Sequence, residues 1–349
     1  MAKITFWSAG ENDGCTFYRC QEPARVLAAR GHETLSAKLV GLGTLMSSDV
    51  VVVARATEAE TLGHVEKLRA MPDGHRPHIV YELDDDLFSI PDHFPPKIRG
   101  PLQDPLRRER VRRFMDAADW ITVTTEALAD RVREEMGMYA YPDIRVVPNW
   151  VPERLVRETL PDEDLIVDHC IGWQGSATHK ADFERCVIPL RRILRSRENV
   201  GAWIFGPDYA RRLYTAAPDR VMHTAWVDGV EAAVRALDAL DLGLAPLEAN
   251  TFNLSKSDLK LKEYAARGVA CIATDYGPYR AGSPLQVAPG IRVDETMFPE
   301  NVAEVWEQAM QFTLDSPETL ANARQYALAW AQANTLENHV EQWEDALLG

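Results

Sequence analysis

No apolar run in the chain is long enough to cross a bilayer. There is no low-complexity segment and no short-period repeat, so any duplication in the chain is architectural. Cysteine is sparse: five residues (15, 20, 170, 186 and 271), odd in number, scattered, with no CxxC pair. That argues against a disulfide framework or a zinc site and for reduced thiols in a cytoplasm. The stretch from Met1 to Ser8 lacks the long apolar region of a secretion signal and reads as a short strand. Positive charge is also short, with 38 Lys and Arg against 53 Asp and Glu for a net charge of −15. Such a chain is not drawn to nucleic acid or an anionic membrane by its overall field. The densest basic patch, Arg107, Arg108, Arg110, Arg112 and Arg113, falls on a helix. It reads as a solvated helix face or a docking patch for an acidic acceptor.

What is present fits two α/β domains of ordinary size within 349 residues. Strand-like runs at Lys3–Ser8, His32–Leu39, Asp49–Ala54, His78–Leu83, Asp119–Thr124 and Ile144–Pro148 alternate with helical ones. Alternation of this length predicts a parallel, doubly wound, Rossmann-like sheet with right-handed crossovers. A Pro-containing, acidic run follows Pro148 and marks a linker. A second series of strands then runs from Asp168 to Val293, and helical sequence follows from Pro299 to Leu348. The expected division is 1–152, 153–330, and a C-terminal helix at 331–349 that packs back on the first domain.

In open α/β sheets, ligands bind at the carboxyl ends of the strands, so two such domains face a cleft. Loops 9–16, 84–86, 172–179, 206–208 and 248–257 all leave strand ends. The last opens a helix on which Lys256, Lys260, Glu263 and Arg267 fall at i, i+4, i+7 and i+11, one polar stripe. Ser255 and Asp258 stand in the N-cap and N3 positions of a capping-box pattern, and Gly268 closes the helix. Two cations and a carboxylate beside a helix N-terminus suit a phosphorylated, hydroxyl-bearing ligand. Arg267, a turn further from the loop, is expected on the surface.

Several stretches resemble the group 1 type glycosyltransferases of the GT-B fold. They are Asp119-Trp-Ile-Thr-Val-Thr-Thr-Glu-Ala-Leu-Ala-Asp130, Arg145-Val-Val-Pro-Asn149, Ile171-Gly-Trp-Gln-Gly-Ser176 and the unit from Asp241 to Asp275. The resemblance departs from the usual donor motif, which has two glutamates eight residues apart with glycines after the first. Ser255 stands in the first glutamate position, followed by Lys256, and the second is Glu263.

The resemblance implies an enzyme that moves a sugar from a nucleotide sugar, such as a UDP- or GDP-sugar, to a hydroxyl acceptor. Retention, no bound metal and no other cofactor are implied with it. Lys256 and Lys260, with Ser255 and the backbone amides after it, are the candidates to hold the donor and neutralise the leaving diphosphate, and Lys260 is counted as catalytic. Glu263 would accept from the ribose hydroxyls. Gly172, Gly175 and Ser176 would approach the donor, as would Gly206 and Asp208, while Trp173 either stacks on the base or packs in the core. Gly14 and Arg19 belong to the diphosphate or acceptor side, with a surface role as the other reading of Arg19; His179 is a phosphate contact or a plain helix-entry histidine. Asp84 or Asp85 would polarise the acceptor hydroxyl. Asp84, Asp85 and Asp86 also raise a metal-dependent transferase or hydrolase as an alternative, and a non-catalytic nucleotide or sugar binder is a third. The acceptor (glycan, protein, lipid-linked sugar or modified nucleic acid) is open.

Overall fold

The computed structural model describes residues 1–11, 13–137, 142–160, 168–226, 229–280, 291–296 and 300–349. Six strands, β1 (Lys3–Ser8), β2 (Glu33–Ala37), β3 (Val50–Ala54), β4 (His78–Leu83), β5 (Trp120–Val123) and β6 (Asp143–Val146), form one sheet in the order β2-β1-β3-β4-β5-β6. Every pairing in it is parallel. All five residues of β3 are buried, as an unbroken valine run requires of a strand covered on both faces. The register sets Ser8, Ala54 and Glu82 level with one another, so the carboxyl ends of β1, β3 and β4 open onto one edge.

A second parallel sheet comprises β7 (His169–Gln174), β8 (Val200–Phe205), β9 (Val221–Thr224), β10 (Leu242–Ala245), β11 (Ala270–Thr274) and β12 (Ile291–Val293). Its order is β12-β11-β10-β7-β8-β9. The part of the expected last strand before Ile291 lies outside the described residues.

The helices that position the site are few. α1 (14–29) follows β1 and includes a π-helical segment, Phe17–Gln21. α2 (Ala59–Arg69) and α3 (Pro105–Ala117) cover β3 and β4, and α4 (Glu126–Met136) follows β5. In the second half, α5 (Lys180–Ser196) follows β7 and α6 (Val230–Ala236) precedes β10. Between β10 and β11 lie a single turn, α7 (Thr251–Leu254), and α8 (Leu259–Ala266). α9 (Val302–Leu314) and α10 (Pro317–Ala333) cover the second sheet, with α9 on α5 and α10 on α8.

α11 (Val340–Leu348) crosses back to α1. Trp343 is buried there with its ring edge-on to Phe6 at 6.0 Å. Arg30 holds Glu344 at 2.7 Å on the rim.

Three sequence expectations about this frame change. Ser255 does not cap the functional helix. Asn250 opens α7 one turn earlier, its side chain accepting the Asn253 amide at 2.8 Å, and Ser255 sits at the C-terminal end of that turn. Asp258 is the N-cap of α8, but its carboxylate turns to the Lys262 ammonium at 2.9 Å instead of closing a capping box. Arg267 is buried, not on the surface: it grips Asp238 with Nε and Nη2 at 2.5 and 2.7 Å and donates to the Leu155 carbonyl. The linker and the turn before β10 wrap the far side of α8, which a polar stripe by itself does not reveal.

Candidate active site

A cavity of about 350 Å³ lies between the carboxyl ends of the two sheets. Its floor is the start of α8. Lys260 and Glu263, about a turn apart on α8, line it, and so does Lys256 from the loop just before the helix. Among the described residues Lys260 makes no ion pair; its ammonium lies 5.2 Å from the centre of the Trp173 ring. Burial lowers its pKa to about 8, with Lys256 adding to the fall and Asp182 and Glu263 opposing it. Lys256 reaches across the cleft to Asp85 at 3.7 Å and stands over the Phe252 ring. The amides of Leu259 and Lys260, the first two of α8, have no intrahelical partner among the described residues, which adds a positive end beside these cations.

Glu263 is fixed from both halves. Tyr18, from the π-helical segment, donates to one carboxylate oxygen at 2.9 Å, and Gln174, at the end of β7, donates to the other at 2.7 Å. Burial pushes its pKa up to about 7 against the pull of those bonds and of Lys260.

The opposite wall carries Asp84 and Asp85. The guanidinium of Arg55 lies 3.2 Å from Asp84 and 3.5 Å from Asp85. Burial raises the Asp85 pKa, but Lys256, Arg55 and His179 together hold it below the usual value. Asp86 faces away, accepting the amides of Phe88 and Ser89 and lying 3.4 Å from Arg131. The three acids therefore do not converge, and the described residues contain no cluster of three or more His, Cys, Asp and Glu side chains set to hold a metal ion.

His179 lines the cavity with Nδ1 2.7 Å from Asp182. Asp182 is anchored by the Glu248 amide and the Asn253 side chain. Burial, then Lys256 and Lys260, lower the histidine pKa to about 4. The ring is therefore neutral, and the bond to an ionised Asp182 puts its proton on Nδ1. Nε2 is left as an acceptor, suited to a hydroxyl.

Gly14, Gly175 and Ser176 also line the cavity. Gly175 is needed as glycine, since a Cβ there would lie 2.4 Å from the Trp173 ring. Other expected site residues lie elsewhere, Ser255 among them, which is buried and does not line the cavity. Trp173 is wholly buried against Phe183 and Tyr209, so it packs in the core and cannot stack on a ligand. Gly172 lies in β7, where a side chain would collide with Leu240; its role is close packing of the strand against the segment that leads into β10. Gly206 has φ of +109° and closes on the Gly175 carbonyl, shaping the loop without lining the cavity. Asp208, half exposed, does not line it either. Arg19 does line the cavity, though not as a surface arginine: it is buried, 2.6 Å from Glu82, and donates to the Val147 carbonyl at 2.7 Å and to Asn149 at 3.0 Å.

Sequence reasoning missed several lining residues. Tyr18 and Gln174 adjoin residues it named. Asn149 closes a motif it quoted and joins the halves: its side chain donates to Ser257 at 3.1 Å and its carbonyl accepts from the buried Lys262 at 2.6 Å. Trp226, 59% exposed, lines the cavity with Val230 and Ala233 and supplies the aromatic wall that Trp173 does not.

Two parallel six-stranded sheets with their carboxyl ends across one cleft are the GT-B glycosyltransferase fold. Solved structures share it over nearly their whole length. An α-glucosyltransferase in complex with UDP-glucose and DNA containing an abasic site aligns with a TM-score of 0.68 at 13% identity, over 99% of this chain and 98% of that one. Sucrose-phosphate synthase from Thermosynechococcus elongatus gives 0.65 at 14% identity, over 99% and 98%. Anabaena HepE in complex with UDP and glucose gives 0.64 at 13%, over 99% of both chains. No family model matches the sequence. No curated protein matches it.

Proposed function

We propose that the chain is a glycosyltransferase that moves a sugar from a nucleotide sugar to a hydroxyl acceptor, with retention and without a bound metal. The carrying observation is Lys260: a half-buried ammonium with no ion-pair partner among the described residues, at a helix start and one turn from a carboxylate positioned by two donors. A diphosphate is the ligand such a cation lacks. Lys256 and Lys260 would take the charge that develops on the leaving diphosphate, and Glu263 would accept from the ribose diol. The base would lie against Trp226, Val230 and Ala233.

The C1–O bond to the phosphate breaks, the acceptor oxygen bonds to C1 on the same face, and its proton passes to the leaving phosphate oxygen. Asp84 and Asp85, facing the lysines, would stabilise the cationic sugar. His179 Nε2 would accept from a sugar hydroxyl. Residues 153–330 would hold the donor and 1–152 the acceptor. The binding of UDP by neighbours of this fold supports a UDP-sugar as the first donor to test. Five free cysteines fit a cytoplasmic setting.

A thermal-shift screen of nucleotides and nucleotide sugars, followed by donor turnover with and without EDTA, tests this reading. Stabilisation by one nucleoside diphosphate and turnover that persists in EDTA are expected. Binding without turnover across a broad acceptor panel would leave only the non-catalytic binder.

A further inference from the structure

A second cavity, about 320 Å³, opens beside the first at the level carboxyl ends of β1, β3 and β4. Cys15 lines both cavities, and the Arg55–Asp84 pair stands between them, with Asp84 lining the first and Arg55 the second. Two features of its wall are unfinished.

The first is cationic. The basic patch on α3 resolves into pairs: Arg108 and Arg112 hold Glu135 at 2.5 and 2.9 Å, Arg113 holds Glu66, and Arg110 donates to the Thr57 carbonyl at 2.6 Å. Arg107 differs. Among the described residues its side chain has no ion pair or hydrogen bond; its Nε is buried without a partner, and it lines this cavity. Burial and the nearby Arg55 both lower its pKa, while Glu58 only partly compensates. Arg55 itself uses Nη1 alone for Asp84, Asp85 and Cys15. It is held at φ +51°, the sole non-glycine residue with positive φ among those described. Such a conformation is strained for a residue with a side chain and persists where the surroundings impose it.

The second feature is an acceptor. Glu82 is fully buried, and its Oε1 is bound by Arg19 while Oε2 has no partner. The other cavity carboxylates are engaged: Asp13 by the Thr16 amide at 2.9 Å, and Glu58 by the Thr57 amide at 2.9 Å. A ligand that completes this wall brings an anion to Arg107 and a hydroxyl donor to Glu82.

We propose that this cavity is the acceptor subsite and that the acceptor is an anionic monosaccharide, a sugar phosphate or a uronate, its anion held by Arg107 and the free face of Arg55 and one hydroxyl given to Glu82. The proposal rests on the first cavity being the donor site. The volume suits one monosaccharide unit, and the shared Cys15 wall puts a bound hydroxyl next to Asp84.

The test is thermal shift and calorimetry on the whole chain, first with UDP, then with UDP saturating. The second ligands are glucose, mannose, galactose and fructose 6-phosphates, glucuronate and galacturonate, set against the neutral parent sugars. The expected result is millimolar or tighter binding of at least one anionic sugar with no comparable binding of its neutral parent. The phosphate and uronate arms tell the two anions apart. Arg107→Met should weaken that binding by about tenfold or more, and Arg107→Lys by less, because a charged bond is lost in one and kept in part in the other. The shift given by UDP alone reports that each variant is folded. Equal binding of neutral and anionic sugars, undiminished binding by Arg107→Met, or no anionic sugar bound by a protein that binds UDP would overturn the proposal. A protein that binds no nucleotide would overturn the donor reading as well.

Discussion

Lys260 and Glu263 lie one turn apart on α8, and burial draws their pKa values together, the lysine down to about 8 and the carboxyl up to about 7. The donor reading needs the lysine charged and the carboxylate ionised. Below pH 7 Glu263 takes up a proton and loses acceptor capacity; above pH 8 Lys260 loses its charge. Affinity for UDP-glucose, whose diphosphate has no proton to lose in this range, should therefore peak between pH 7 and 8 and fall on both sides. Calorimetry from pH 5.5 to 9.5 measures this, and a flat profile would separate these two groups from the ligand. Lys260→Ala should weaken UDP binding by about 10- to 100-fold, the loss of one charge-assisted contact in a half-buried site. Unchanged affinity would remove Lys260 from the donor site.

At the scale of elements, spacing in the sequence made part of α8 legible. Positions 260 and 263 share one face of α8 and both line the cavity, whereas Lys256 lines it from the loop before the helix, not from the expected stripe. The same spacing misassigned Arg267, because a periodic pattern tells which residues share a face and not what covers that face further along. The linker carbonyl of Leu155 and the carboxylate of Asp238 cover it, both remote in sequence. Arg267→Ala leaves the Leu155 carbonyl without that donor and Asp238, itself 37% exposed, with only Arg157 at 3.1 Å; it should cost about 1–3 kcal/mol, the range for losing charge-assisted bonds in a partly buried setting. A surface arginine would cost under about 0.5 kcal/mol, so urea denaturation separates the two readings. Trp173 shows the same limit. A tryptophan at a strand end suits a stacking wall or a core equally well, and only the packing of Phe183 and Tyr209 decides. The strands were plainer: β3 needed only its valines, since burial on both faces leaves the alternating pattern no role.

At the scale of the molecule, bonds run between the two halves through Tyr18 and Glu263, Asn149 and Ser257, Thr125 and Ser255, and the edge-to-face rings of Phe94 and Phe252. None was visible in the sequence, because each joins residues more than a hundred positions apart. α11 is the largest such crossing. Trp343→Ala should cost about 3–5 kcal/mol of stability, as removal of a fully buried tryptophan does, and should lower the unfolding temperature of the whole chain. A melting temperature within a degree of the parent would show that α11 adds little to the first half.

That crossing also bears on synthesis. The hydrophobic core around Ile4, Phe6 and Leu27 is completed by Val340, Trp343 and Leu347. At roughly 5–20 residues per second, those three are made on the order of 15–60 s after the strand they cover. During that interval the nascent first half carries an open apolar face, with the second half emerging behind it. A ribosome-bound chain stopped before residue 340 should recruit chaperones and be cut readily by protease, and one extended past residue 348 and clear of the exit tunnel should resist both. Translation of this chain thus carries a built-in delay between the making of its first core and its closure.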